Sequence, residues 1–195
     1  MLTLPDGSRL TLNSASAVDL RFSELERRVL LRQGEVMIET GKDPVGRPFL
    51  VETGQGVARA LGTRFSVRRD GSRSEVKVYE HLVEVTGAQG QQRLLGAGES
   101  VQITPGELSI GTHPAFSDAW VNGILAVENM PLTQFADELA RYRPGVVRCA
   151  PELAQYRISG AFRIDDTDQA LQAITRSFPA RVQFRTRYWV NIAPE

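Results

Sequence analysis

From Ser8 to about Gly111, apolar and polar residues alternate along the chain with a period of two. Leu10 and Leu12 alternate with Arg9 and Thr11, Phe65 and Val67 with Arg64, Ser66 and Arg68. Val76 and Val78 alternate with Glu75, Lys77 and Tyr79, and Val83 and Val85 follow the same rule. This is the pattern of half-buried strands with the apolar side inward. Turn residues punctuate it at Asp6-Gly7, Gly34, Gly41, Gly54 and Gly56, Gly62, Asp70-Gly71, Gly87 to Gly90, Gly96 and Gly98, and Pro105-Gly106. Short strands so punctuated predict an all-β domain, a jelly roll or solenoid-like stack. Gly-Glu recurs at Gly34-Glu35, Gly98-Glu99 and Gly106-Glu107, and each copy is expected to open a new strand.

The period then changes. Gly111 to Phe116 reads as a loop, with Ser117 placed to cap a short helix through Trp120. The expected division is an all-β domain over 1–112, a connecting segment over 113–122 and a small α+β domain over 123–195. In the last of these, Ile124 to Glu128 reads as a strand. Leu132, Phe135, Ala136 and Leu139 recur at helical spacing after Pro131 and before Pro144-Gly145. Val146-Val147 begins a strand, and Tyr156, Ile158 and Phe162 alternate in another. Asp166 with Gln169 caps a second helix carrying Ala170, Leu171, Ile174 and Phe178. Strands at Val182-Phe184 and Val190-Ile192 complete an order of βαβ-βαββ.

Composition narrows the function. The 195 residues carry 23 basic and 23 acidic side chains, a formal net charge of zero. That argues against a nucleic-acid partner, which calls for a basic excess or stripe. Cys149 is the only cysteine, which rules out an intrachain disulfide and a multi-Cys zinc site. No run of about 18 apolar residues is present to span a membrane. The opening Met1 to Asp6 lacks the basic flank and apolar core of a signal peptide, so if the protein acts outside the cytoplasm its targeting segment is expected upstream.

Candidate chemistry is sparse. His81 and His113 are the only histidines and lack metal-ligand spacing. Asp165-Asp166-x-Asp168 lacks the distal Glu of a calcium loop and reads as a helix N-terminus. Gly54-x-Gly56 lacks the third glycine of a dinucleotide site. Cys149 reads as a small core residue. No catalytic residue, cofactor or metal is expected. The residues most suited to a protein partner are Trp120, at the junction, and Trp189, out of phase with Val190 and Ile192 and so turned from the core. Arg185 and Arg187, with Arg181, form a basic cluster that is either a solvated face or a match for an acidic surface.

One family unites these segments. Leu4-Pro5-Asp6-Gly7-Ser8, Arg32-Gln33-Gly34-Glu35-Val36 and Arg47-Pro48-Phe49-Leu50-Val51 come first. Leu61 to Val67, Glu75 to Glu80 and Leu95 to Val101 follow. In this order they resemble the extracytoplasmic region of FecR-type sigma regulators (anti-sigma factors). Trp120-Val121-Asn122-Gly123 resembles that family's tryptophan-glycine junction. Met130-Pro131-Leu132 with Arg141-Tyr142 resembles the helix that follows that junction, and Ser159-Gly160-Ala161-Phe162 and Ala170-Leu171 resemble the second half of a secretin-and-TonB short N-terminal (STN) domain.

The resemblance implies the periplasmic part of a single-pass inner-membrane regulator from a Gram-negative bacterium. Its implied partner is the N-terminal signalling domain of a TonB-dependent outer-membrane receptor that reports iron-siderophore. A cytoplasmic segment outside this chain would hold an extracytoplasmic-function sigma factor, released by stepwise periplasmic and intramembrane proteolysis. The alternative is a structural or carbohydrate-binding β-domain of an envelope or secretion assembly. A sugar-binding or hydrolytic site would need aromatics or paired carboxylates on one concave face, and no tryptophan precedes Trp120.

Overall fold

The computed structural model describes residues 1–195 and separates them into two compact units, Met1–Ala115 and Phe116–Glu195. The first is built of β1 (Leu2–Thr3), β2 (Arg9–Leu12), β3 (Ala17–Phe22), β4 (Arg27–Glu39), β5 (Phe49–Glu52) and β6 (Gly56–Ala60). It continues with β7 (Arg64–Asp70), β8 (Arg73–Glu80), β9 (Leu82–Gly87), β10 (Gln92–Gly96), β11 (Glu99–Ile103) and β12 (Leu108–Thr112). All twelve join one sheet with the main order β10-β9-β6-β5-β4-β7-β8-β11-β12. The sheet nearly closes on itself, and the expectation of a mostly β protein holds.

The 13-residue β4 is the organising strand. Its first half pairs with β3 antiparallel, Phe22 opposite Arg27, and with β5 parallel, Phe49 opposite Arg27. Its second half pairs antiparallel with β2 and β7, so that Ile38 lies opposite both Leu10 and Phe65. The two arms of the sheet enclose one core. Val29, Leu31, Val36, Ile38, Phe49, Val51, Phe65, Val67, Val76, Val78, Val83 and Val85 all belong to it.

The inward phase changes along β4. Val29 and Leu31 point into the core at odd positions, Val36 and Ile38 at even ones. The register with β3 skips one residue there, Gln33 facing Ala17 and Leu31 facing Val18. This is a β-bulge, which inserts a residue into one strand and bends it. Gly34 sits at the bend with φ +82°. A Cβ on Gly34 would lie 2.3 Å from Ser16 Oγ. That hydroxyl is fixed by Glu35, whose N–H donates to it at 2.8 Å and whose carbonyl accepts from it at 3.0 Å. Gly34 therefore does not open a strand, as the Gly-Glu echo suggested, but lies inside one that changes phase. Gly34→Ala is expected to lower the stability of this unit by about 1–3 kcal/mol, from left-handed backbone strain plus the clash with Ser16. A urea midpoint equal to wild type would contradict this.

Two further boundaries differ from the sequence reading. Gly111 and Thr112 are strand residues, because β12 pairs with β11 as far as Thr112 opposite Glu99. The short turn of helix over Ala119–Asn122 is preceded by Asp118 rather than Ser117, Phe116 O accepting from Ala119 N.

The second unit contains β13 (Ile124–Pro131), α1 (Leu132–Ala140), β14 (Val146–Cys149), β15 (Arg157–Arg163), α2 (Thr167–Ser177), β16 (Ala180–Thr186) and β17 (Trp189–Pro194). Helix α1 carries Leu132, Phe135, Ala136 and Leu139 on its buried side. Helix α2 begins where Asp166 Oδ1 accepts from Gln169 N at 3.1 Å, and it buries Ala170, Leu171 and Ile174. Strands β13 and β15 form a two-stranded antiparallel sheet, while β14, β17 and β16 form a three-stranded one. Both helices pack against both sheets. The result is helices between two small sheets, around a core that includes Leu139, Leu153, Leu171, Ile174, Val190 and Ile192. No helix is long and apolar enough to cross a membrane.

Candidate functional site: an uncovered aromatic and basic sheet face

The three-stranded sheet of the second unit turns one side to the helices and leaves the other bare. Val147, Val190 and Ile192 are buried, which fixes the inward phase. Side chains alternate across a strand, so Val146, Arg148, Trp189 and Asn191 face outward. The parallel pairing of β14 with β17 sets Val146 opposite Trp189 and Arg148 opposite Asn191. Val146 and Trp189 are each 49 % exposed. The Arg148 guanidinium lies over the Trp189 ring, 5.8 Å from its centroid. On the far side of β17, Thr186 faces Trp189, Gln183 faces Asn191 and Arg181 faces Ala193.

The turn into β17 is held from below. Arg143 pairs with Asp168 at the start of α2 at 2.7 Å and donates to the carbonyl of Arg187 at 3.4 Å. Its guanidinium also lies over Phe184, 5.8 Å from the ring centroid. Val146 N donates to Tyr188 O at 2.7 Å. A Cβ on Gly145 would lie 2.0 Å from that same carbonyl, and its φ is +101°. Only glycine lets β14 run this close beneath Tyr188, which in turn places Trp189.

Of the sequence candidates, Trp189, Arg185 and Arg187 lie on or beside this face, and Arg187 stacks on Tyr188 at 4.4 Å. Trp120 does not present a surface: it is 7 % exposed, and its indole N–H has no hydrogen-bond partner. Sequence reasoning missed Val146 and Arg148. Their alternation was visible, but the parallel pairing that brings them beside Trp189 joins segments far apart in the chain.

The remaining chemistry is structural. No group of three or more His, Cys, Asp or Glu side chains is placed to hold a metal ion. Cys149 packs against the core of the second unit, and burial pushes its thiol up to about 11, away from a reactive thiolate. His113 donates through Nε2–H to Val78 O, 2.9 Å away, and its ring packs at a tilt against Tyr79. Asp165 pairs with Arg163 at 2.7 Å. In the first unit a polar cleft of about 470 Å³ is lined by Arg9, Glu39, Arg64, Glu80 and His81, among others. Glu39 is neutralised there by Arg9 and by Arg64. No Trp, Tyr or Phe lines the cleft, so it lacks the aromatic platform expected of a sugar site.

Two crystal structures of a Parabacteroides distasonis protein, provisionally described as an anti-sigma factor, superpose on this chain with TM-scores of 0.81 and 0.79. Each is 24 % identical, and each match covers 100 % of this chain and 93 % of the other. At that identity the likeness is one of fold. No curated protein matches the chain. Residues 1–84 match the family described as FecR protein, a stretch that runs from β1 into β9. The likeness to the FecR family is confined to that stretch.

Proposed function

We propose that this chain is the sensing part of a sigma-factor regulator, acting by binding another protein rather than by catalysis. The FecR match over residues 1–84 carries the reading. The shared fold with a protein provisionally described as an anti-sigma factor supports it. In the fuller form of the proposal, the chain works in the periplasm, outside the inner membrane that anchors the whole regulator. Its second unit is STN-like, with the βαβ-βαββ order and helices between two small sheets. Its partner is the N-terminal signalling domain of a TonB-dependent receptor, and iron-siderophore is the signal relayed. Proteolysis of the full-length regulator then frees the sigma factor. Trp189, Arg185 and Arg187 supply contacts at the second unit.

Calorimetric titration with the signalling domain of the TonB-dependent receptor encoded beside this gene tests the proposal. Saturable one-to-one binding is expected. Trp189→Ala is expected to weaken it about tenfold or more, as loss of an exposed aromatic anchor does at interface centres. Failure of every candidate receptor domain to bind at high micromolar concentration would sink the proposal.

A further inference from the structure

Strand β16 has a neighbour on one side only. The sheet order is β14-β17-β16, so the outer edge of Ala180–Thr186 offers unpaired backbone N–H and C=O groups. Proteins guard such edges with short strands, prolines or charge. Here the edge strand runs seven residues with no proline, and its charges are all of one sign, Arg181 and Arg185. The bulge between Phe184 and Thr186 bends only its far end.

The charge on this sheet is equally one-sided. Strands β14, β16 and β17 contain no Asp or Glu, although the whole chain is neutral. Arginines elsewhere are mostly matched with carboxylates: Arg9 with Glu39, Arg27 with Asp6, Arg28 with Glu26 and Glu52, Arg47 with Asp43, Arg163 with Asp165. Arg148, Arg181, Arg185 and Arg187 have none. Beside them lies the apolar pair Val146 and Trp189.

We infer that the edge of β16 takes an extended acidic segment of a partner protein as a fourth strand. Backbone bonds to β16 supply the affinity of strand addition, and alternate side chains supply its specificity. A strand added here presents every second side chain on the outward face, in line with Arg181 and Gln183. Carboxylates at those positions meet the arginines that this chain leaves unmatched. Trp189, one strand further in, and Val146, two strands in, receive apolar side chains next to that segment. The inference deepens the binding reading above and rests on it for the identity of the partner, though not for the chemistry.

The test uses the whole chain and two labelled ten-residue peptides, one alternating Glu with Val, the other Lys with Val. Fluorescence anisotropy should show saturable binding of the acidic peptide and none of the basic one. Amide exchange in β16 should slow when the acidic peptide is bound. The double variant R181E/R185E should weaken that binding about tenfold or more, since juxtaposed like charges oppose association. R148E provides a second charge reversal, on a different strand, should the first disturb folding. Equal binding of both peptides, no binding of the acidic one, or unchanged exchange in β16 overturns the inference. The receptor titration reads separately. A receptor domain that binds R181E/R185E as tightly as wild type removes the strand-addition site and leaves the sensing role standing. Binding of the acidic peptide with no response to any receptor domain does the reverse.

Discussion

Arg27→Ala should destabilise the first unit by about 3–5 kcal/mol, the usual cost of removing one partner from a buried ion pair. Arg27 is 6 % exposed, and its guanidinium spends every face on the fold. It bonds Asp6 Oδ2 at 2.7 Å, Gly41 O at 3.1 Å, and Arg47 O through Nε at 3.1 Å and a terminal nitrogen at 2.8 Å. It also lies over the Phe49 ring, 5.3 Å from the centroid. Truncation strands the Asp6 carboxylate, whose remaining partners are the N–H and hydroxyl of Ser8. It also removes the Arg27 donors from the carbonyls of Gly41 and Arg47.

Burial pushes the Asp6 carboxyl up, but the hydrogen bonds from Ser8 and Arg27 outweigh it and hold the group below its ordinary value. A carboxylate depressed in the folded state adds stability above its unfolded pKa, and that stability is lost as pH falls through the folded pKa. Asp43 behaves alike: the hydrogen bond from Arg47 holds it at about 2. Acid should therefore weaken wild type progressively below about pH 4, the ordinary carboxylate range. In Arg27→Ala part of that dependence should already be gone. The check is urea unfolding followed by far-UV dichroism across pH, with amide exchange in β4 to locate the loss. A change under about 1 kcal/mol would show that the arginine is not carrying a buried pair.

Phe135→Ala should cost the second unit a similar amount, about 3–5 kcal/mol, as for other buried Phe truncations. Phe135 is fully buried on α1 and packs against Phe162 of β15 at a centroid distance of 4.8 Å. Because α1 packs on both small sheets, the void opens at the centre of the layer stack rather than at its margin. Trp120 and Trp189 both lie in the second unit, so tryptophan fluorescence reads this loss directly. A midpoint within error of wild type would mean that the neighbouring side chains collapse into the space.

Much of this was legible in the sequence, and what was not has a common cause. The alternation of Val76 with Val78 and of Phe65 with Val67 announced strands because one side of each is in the core. The helical recurrence of Leu132, Phe135 and Leu139 and the cap at Asp166 announced α1 and α2 for equally local reasons. Pairing partners are not local. Nothing in Arg27 or Phe49 states that they lie side by side in parallel strands, and nothing in Val146 names Trp189 as its neighbour. Gly34 misled for the same reason: a glycine that ends a strand and one that bends it look alike until Ser16 is brought against it.

The phase change in β4 also bears on how such chains vary over evolutionary time. One strand serves both arms of the sheet, with its inward positions odd before Gly34 and even after it. A single inserted or deleted residue on either side would leave one arm in register and turn the other arm's core residues to water. The length of the stretch 27–39 is thus frozen by two constraints at once, while turns such as 42–46 and 88–91 answer to neither. Length differences among relatives of this unit should gather in those turns and be absent from β4.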